Sequence, residues 1–146
     1  MSELTARGRR VSTVKHAHHE FDIDRPGADS FRHRQAGAVE VALVSGRRWA
    51  LMHELRNEAE PELDAILARM ADADIVLVEG YKRNAHRKIE TRRLGAKDTR
   101  PLSPGDPNIL AVAADHPQPA ETLPVFDLDD IESIADFIEQ TTNLAS

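Results

Sequence analysis

The sequence has no cysteine among its 146 residues. This absence excludes a disulfide framework, a thiolate site for zinc or an iron–sulfur cluster, and a cysteine nucleophile. Only one tryptophan and one tyrosine are present, so a base-stacking platform for single-stranded nucleic acid is not expected. No apolar run approaches the roughly 20 residues of a membrane-spanning helix, and the start lacks the apolar segment of a signal peptide. We therefore expect a single domain, residues 1–146, in the cytoplasm, with neither a membrane nor a nucleic acid as partner.

Basic residues are missing from the last third of the chain. Every lysine and arginine lies at or before Arg100, whereas residues 101–146 contain nine acidic residues. The stretch from Lys82 to Arg100 holds eight basic residues against Glu90 and Asp98. This polarity suits a small anionic ligand near the basic stretch better than a long nucleic acid, which the acidic tail would repel. A solvated charged surface is the alternative explanation.

Apolar patterning predicts strands that alternate with helices, which is typical of a three-layer α/β/α domain with a mostly parallel sheet. The run 74–79 is apolar throughout, which indicates a strand buried on both faces of a parallel sheet. We expect Asp29 or Ser30 to cap one helix, and Asp129 to cap the last helix with Glu132 in a capping-box pair. The predicted strands are 10–15, 39–45, 48–52, 74–79, 88–92 and 109–114, and the predicted helices are 2–7, 29–36, one starting at Pro61, and one from 129 onward.

A polar loop of about 13 residues follows the first predicted strand, and its length makes it a candidate functional segment. It contains His16, His18 and His19, and then Asp22 and Asp24. These groups could bind a divalent cation, orient a water molecule or contact phosphate oxygens, since ligands of open α/β sheets bind beyond the carboxyl ends of strands. Local hydrogen bonding of the loop, and metal storage by the three histidines, are the alternatives.

Two later strands also end in a carboxylate. Glu79 is followed by Gly80, and nucleotide-hydrolysing α/β proteins use an acid at such a strand end to hold magnesium and a glycine where the backbone passes a phosphate. Lys82 is either a phosphate counter-charge or part of a solvated rim. Asp115 could accept hydrogen bonds from the N–H groups of a purine, although an aspartate in this position is more often a turn or helix cap.

Together, five segments resemble the family of molybdopterin-guanine dinucleotide biosynthesis protein B, MobB, in the family's order and over nearly the whole chain. The segments are Lys15-His16-Ala17-His18-His19, the stretch from Asp22 to Ser30 with Pro26-Gly27, Arg34 to Ala38, Arg48 to Met52, and Val76 to Lys82.

The resemblance implies a P-loop nucleotide-binding domain, usually a homodimer, that binds GTP with Mg²⁺ and hydrolyses it weakly. It implies an accessory role in molybdenum cofactor biosynthesis, with the molybdenum cofactor guanylyltransferase and other molybdenum cofactor enzymes as partners. By position, the residues implied at the nucleotide are Lys15, His18, His19, Asp22, Asp24, Glu79, Gly80, Lys82 and Asp115, with Asp24 and Glu79 also implied as magnesium ligands.

The sequence departs from the family pattern at its start. It lacks the opening strand and the Gly-x-x-x-x-Gly-Lys-Ser/Thr loop, whose backbone N–H groups and lysine grip the phosphates. We therefore expect impaired GTP binding and at most weak GTPase activity, in either a truncated version or a degenerate member that keeps only partner binding. The neighbours of the absent strand would also lose ladder partners unless another chain fills the gap. The alternative function is a non-enzymatic adaptor that docks on the guanylyltransferase or binds the anionic pterin.

Overall fold

The computed structural model describes residues 1–17 and 21–144. It is a mixed α/β structure with parallel strand pairing, which confirms the fold class expected from the sequence. The elements in chain order are α1 (Ser2–Ala6), β1 (Val11–Lys15), α2 (Asp29–Gln35), β2 (Glu40–Val44), β3 (Trp49–His53), α3 (Leu63–Leu67), β4 (Ile75–Glu79), β5 (Lys88–Arg92), a 3₁₀ turn (Ser103–Gly105), β6 (Ile109–Ala114), β7 (Val125–Asp127) and α4 (Ile131–Thr141).

The chain divides into two compact units, the first formed by Met1–Lys15 with Asp72–Ser146 and the second by His16–Ala71. The first unit contains two parallel ladders, β1–β4 and β5–β6–β7. Within the described residues, no ladder joins β4 to β5. A short connection runs from β4 to β5, whereas side-by-side parallel strands need a crossover of about a dozen residues or more.

The core of the first unit is centred on β6. Ala111 and Val112 are fully buried, as expected for an apolar strand with a neighbour on each side. Helix α4 packs nearby through Phe137, whose ring lies 5.3 Å from that of Phe126 on β7. Helix α1 contributes Leu4, which is 2% exposed.

Ion pairs hold α1 against α4. Arg7 Nη1 donates to Asp136 at 2.6 Å and to Glu139 at 2.9 Å, and Arg9 Nε donates to Glu139 at 2.6 Å. Glu139 is thereby buried on an otherwise apolar helix face. Because a buried carboxylate is costly without a partner, the two arginines account for its position.

The second unit consists of α2, the antiparallel hairpin β2–β3 and α3. The hairpin buries Val41 and Met52, which are paired across the strands. Helix α2 packs against β2 on the hairpin. Helix α3 is only five residues long and buries Leu63.

Four expectations about the elements require correction. Helix α2 has Ala28 at its N-cap with no side-chain cap, because the hydroxyl of Ser30 donates to Asp24 instead. Helix α4 is capped by Asp130, which accepts from the backbone N–H of Ser133, and not by Asp129 with Glu132. Strand β4 is half-buried and not buried on both faces, since it has one ladder partner among the described residues. The three-residue strand β7 was not predicted.

Candidate functional site

The carboxyl end of the β1–β4 ladder carries two of the expected site residues. Parallel register places Lys15 opposite Glu79, and Lys15 Nζ lies 3.1 Å from Glu79 Oε1. Both side chains are about 70% exposed, at 69% and 71%. An exposed ion pair contributes little to stability. The pair therefore costs little to open, and both charges are accessible to a ligand.

Directly after Glu79 the backbone turns through two left-handed residues. Gly80 has φ +93° and Tyr81 has φ +49°. Glycine adopts this conformation without steric cost, whereas a tyrosine in it is uncommon. The next residue, Lys82, is exposed and lies close enough to Asp98 to help lower the pKa of that carboxyl, after the larger effect of the Arg100 hydrogen bonds. The basic stretch thus meets the end of β4.

Asp115 follows β6 and is engaged locally. Its Oδ1 accepts from the backbone N–H of Leu94 at 3.0 Å and lies 2.7 Å from His116 Nδ1. The contact with His116, with the Leu94 hydrogen bond, lowers the pKa of Asp115. The side chain is 40% exposed. Asp115 is therefore an ionised turn residue with some remaining access to solvent, and its role at a guanine base stays a prediction.

The second unit brings Asp22 and Asp24 together around Arg34. Arg34 Nη2 donates to Asp22 Oδ1 at 2.7 Å, and Arg34 Nε lies 3.4 Å from Asp24 Oδ2. The hydroxyl of Ser30 donates to the other oxygen of Asp24 at 2.7 Å, and that carboxylate is 6% exposed. A hydrogen bond from the backbone N–H of Asp24, together with Arg34, lowers the pKa of Asp22.

The histidine-rich segment is only partly described. His16 Nε2 lies 2.7 Å from Oε1 of Glu60, a residue 44 positions further along the chain and outside the loop. His18 and His19 lie outside the described residues, so their predicted roles stay predictions. In the part of the chain that the structure describes, no three histidine, aspartate or glutamate side chains are grouped so that they could hold a metal ion.

Sequence reasoning missed a buried network around Arg92. Its Nη2 donates to Glu90 at 2.8 Å and to Glu121 at 2.7 Å, and hydrogen bonds from Ser103 and Arg92 lower the pKa of Glu121 to about 2. The network lies beside a cavity of about 510 Å³, into which Gln118 also extends. Within the described residues, the buried Nε of Arg92 has no hydrogen-bond partner. Little in the sequence indicates this network, since Glu90 and Arg92 are two charged residues on a short strand and nothing near them in the sequence predicts that they are buried together.

The structure thus joins Lys15 with Glu79 and Gly80 in one unit, and Asp22 with Asp24 in the other. Lys82 adjoins the Asp98 loop, and Asp115 is held by Leu94 and His116. Arg34 is the residue whose contacts the sequence did not reveal, because three arginines and a histidine lie within residues 25–34 and nothing in their spacing distinguishes one of them.

The parallel ladders, together with the likeness to solved structures, place the chain in the class of mixed α/β proteins with a P-loop NTPase-like fold. The structure is similar to the crystal structure of molybdopterin-guanine biosynthesis protein B (mobB), with a TM-score of 0.71, 27% identity, and coverage of 97% of this chain and 86% of that one. It is also similar to a MobB protein homolog from Bacillus stearothermophilus, with a TM-score of 0.67, 26% identity and coverage of 99% and 85%.

Sequence comparison defines the family. The model of the family "Molybdopterin guanine dinucleotide synthesis protein B" (MobB) matches residues 1–115. The chain is 39% identical over 137 residues to the molybdopterin-guanine dinucleotide biosynthesis adapter protein of Escherichia coli K12, covering 92% of this chain and 78% of that protein. It is 40% identical over 137 residues to the protein of the same name from Haemophilus influenzae, covering 94% and 75%. The chain belongs to the MobB family, and its role lies in molybdenum cofactor biosynthesis.

No helix in residues 1–17 or 21–144 combines the length and the apolar character needed to cross a membrane.

Proposed function

We propose that this chain is a GTP-binding accessory protein that acts in the cytoplasm on the step attaching a guanine nucleotide to molybdopterin. The exposed Lys15–Glu79 pair at the carboxyl end of β1 and β4 carries the proposal, because ligands of open α/β sheets bind at that edge. In this proposal Lys15 and Lys82 face phosphate oxygens, and Gly80 lets the backbone pass close to them. His18, His19, Asp22 and Asp115 complete the proposed nucleotide contacts.

The two proposed magnesium ligands differ in how well they fit the ion. Magnesium is bound through one or two carboxylates together with substrate phosphates. Glu79 fits, since its carboxylate is 71% exposed. Asp24 is buried, and its two oxygens accept hydrogen bonds from Ser30 and Arg34. A magnesium ion at Asp24 would have to replace Arg34 there, which makes Glu79 the simpler ligand.

The proposed hydrolytic activity is weak at most. When bound, magnesium neutralises charge on the phosphate oxygens during attack by water. The residues of this chain would contribute the positive charge of Lys15 and the ligand oxygen of Glu79. No Gly-x-x-x-x-Gly-Lys-Ser/Thr sequence is present in the 146 residues, so the main backbone grip on the β- and γ-phosphates is lacking and we expect GTP to bind poorly.

A non-enzymatic adaptor is the second candidate. The two curated relatives are both named adapter proteins, which favours a docking role over turnover. In this version the chain docks on the molybdenum cofactor guanylyltransferase, or binds the anionic pterin near the basic stretch that begins at Lys82.

Pull-down of the guanylyltransferase separates the two candidates. The 146-residue chain and a version extended at its start by a strand and a Gly-x-x-x-x-Gly-Lys-Ser/Thr loop are each immobilised and offered the transferase with and without GTP and Mg²⁺. Glu79→Gln is compared with Glu62→Gln, an exposed carboxylate at the N-cap of α3, as a matched control. Capture that needs GTP and is lost in Glu79→Gln supports the nucleotide-dependent role. Equal capture in all samples supports the adaptor, and no capture in any sample contradicts both.

We also propose a homodimer that forms through the β2–β3 hairpin. Val44 and Trp49 are directly paired at the end of the hairpin and are 79% and 70% exposed, and Leu51 is 49% exposed on the same face. Exposed apolar groups of this size mark interaction sites. A two-stranded hairpin is also marginally stable alone.

A second copy is the occupant that this surface fits. Basic residues, Arg47 and Arg48, occupy the turn of the hairpin, and Glu40 lies at its open end. Two hairpins aligned antiparallel about a two-fold axis would bring the opposite charges together while covering the apolar face. Charge complementarity therefore agrees with the exposed apolar area.

A further inference from the structure

The segment Phe21–Asp24 alternates between apolar and acidic side chains, and the two kinds have different surroundings. Phe21 and Ile23 are 75% and 66% exposed. Asp22 and Asp24 instead contact Arg34, and Asp24 is almost completely buried. Among residues 1–17 and 21–144, the segment has no ladder hydrogen bonds, and its one hydrogen bond from a backbone N–H to a side chain joins Asp24 to Asp22 Oδ1. Side-chain contacts therefore contribute to its conformation.

Arg34 forms hydrogen bonds with three carboxylates, two of them in this segment. Its guanidinium contacts Asp22, Asp24 and also Glu54, whose Oε1 accepts from Nη1 at 2.9 Å. The side chain of Arg34 is 13% exposed and that of Asp24 is 6% exposed, whereas Asp22 and Glu54 are 45% and 36% exposed. All three contacts are charge-assisted, which makes them stronger than hydrogen bonds between neutral groups. The hydrogen bonds to Glu54 and Asp22 raise the pKa of Arg34 above its already high value.

Helix α2 fixes the backbone position of Arg34. Arg34 lies in its last turn, and its guanidinium is 5.5 Å from the centroid of the Phe31 ring on the same helix. Ser30, in the first turn, donates to Asp24. Helix α2 thus contacts the segment through residues in its first and its last turn. The contact of Arg34 with Glu54 connects the helix to the chain directly after β3.

From this arrangement we infer that Arg34 is a positioning residue. Its planar guanidinium donates hydrogen bonds to Asp22, Asp24 and Glu54 and so orients the segment Phe21–Asp24. The inference rests on the proposed function in one respect, namely that this segment approaches the nucleotide. The shape of the guanidinium is essential, because its five N–H donors in a fixed plane serve three carboxylates at once. A lysine keeps the charge but has a single compact ammonium group.

Hydrogen exchange of the full chain, without nucleotide or magnesium, tests the inference. Wild type is compared with Arg34→Lys and Arg34→Gln. The control is Arg32→Lys, because Arg32 lies on the same helix and is 73% exposed, and its ion pair with Asp29 is long, at 3.9 Å. We expect the backbone amide of Asp24, which donates to Asp22 Oδ1 at 2.9 Å, to exchange several-fold faster in both Arg34 variants and unchanged in the control. If Arg34→Gln fails to fold, Arg34→Lys carries the comparison.

The ¹³C chemical shifts of the Asp22 and Glu54 carboxylates, recorded at pH 7, give a second readout that would not change if Arg34 only filled space. Arg34→Gln should change both shifts, since each carboxylate accepts a hydrogen bond from the guanidinium. Wild-type exchange of the Asp24 amide in Arg34→Lys, faster exchange over the whole chain, or unchanged carboxylate shifts in Arg34→Gln would each overturn the inference. Failure of the proposed function would show separately, as an absence of GTP binding by a version extended at its start by a strand and a Gly-x-x-x-x-Gly-Lys-Ser/Thr loop, while Arg34 still orients the segment Phe21–Asp24 in the wild type.

Discussion

At the scale of single residues, the candidate site depends on backbone conformation as much as on charge. Gly80 and Tyr81 both have positive φ immediately after the exposed carboxylate of Glu79. A left-handed residue costs an ordinary amino acid about 1–2 kcal/mol. Such outliers persist only where the surrounding structure determines them, and they concentrate at functional sites. The turn after β4 is therefore a feature that this fold maintains at a cost.

We expect Gly80→Ala to destabilise the protein by about 1–2 kcal/mol, because a Cβ at φ +93° is strained. The measurement is the free energy of unfolding from urea titration. Gly95→Ala is the matched control, since nothing lies within 4 Å of a Cβ at that position and its φ is not in the left-handed region. Equal effects of the two substitutions would show that the turn is not strained.

At the scale of elements, apolar patterns located most helices and strands but did not fix all of their bounds. Strands β1 to β6 and helices α1, α2 and α4 were predicted from alternation, continuous apolar runs and the glycines that end helices. Strand β7 was missed because three residues after a proline carry no periodic signal. Helix α3 is shorter than its apolar stripe indicated, since it ends at Leu67 although Met70 continues the pattern.

The same distinction applies to the site. Strand ends could be located from the sequence, and Glu79 was predicted at one of them, whereas the role of Lys15 was implied by the resemblance to the MobB family. The hydrogen bonds of Arg34 and of Arg92 join residues that lie apart in the chain. No local sequence pattern encodes which carboxylate each arginine contacts.

Leu4→Ala tests whether α1 is an integral part of the first unit. Leu4 is 2% exposed, and truncation of a buried leucine costs about 2–5 kcal/mol through lost burial and the remaining cavity. We expect a loss in this range in the free energy of unfolding. Leu94→Ala, at a leucine that is 70% exposed, should change it by less than about 0.5 kcal/mol. A small effect of Leu4→Ala would mean that α1 adds little to the core.

At the scale of the whole molecule, the exposed hairpin predicts the oligomeric state. We expect wild type to be a dimer, and Trp49→Ser to be a monomer, in light scattering coupled to size-exclusion chromatography. Leu94→Ser, which removes an equally exposed apolar side chain outside the hairpin, should remain dimeric. A monomeric wild type, or a dimer that persists in Trp49→Ser, would refute the proposed interface.

The central claim is that the edge carrying Lys15 and Glu79 belongs to a GTP site. Isothermal titration with GTP and Mg²⁺ tests it most directly, on the 146-residue chain and on a version extended at its start by a strand and a Gly-x-x-x-x-Gly-Lys-Ser/Thr loop. The account predicts weak or no binding by the 146-residue chain, and saturable binding by the extended version that Glu79→Gln weakens. An extended version that gives no heat of binding with GTP would contradict it.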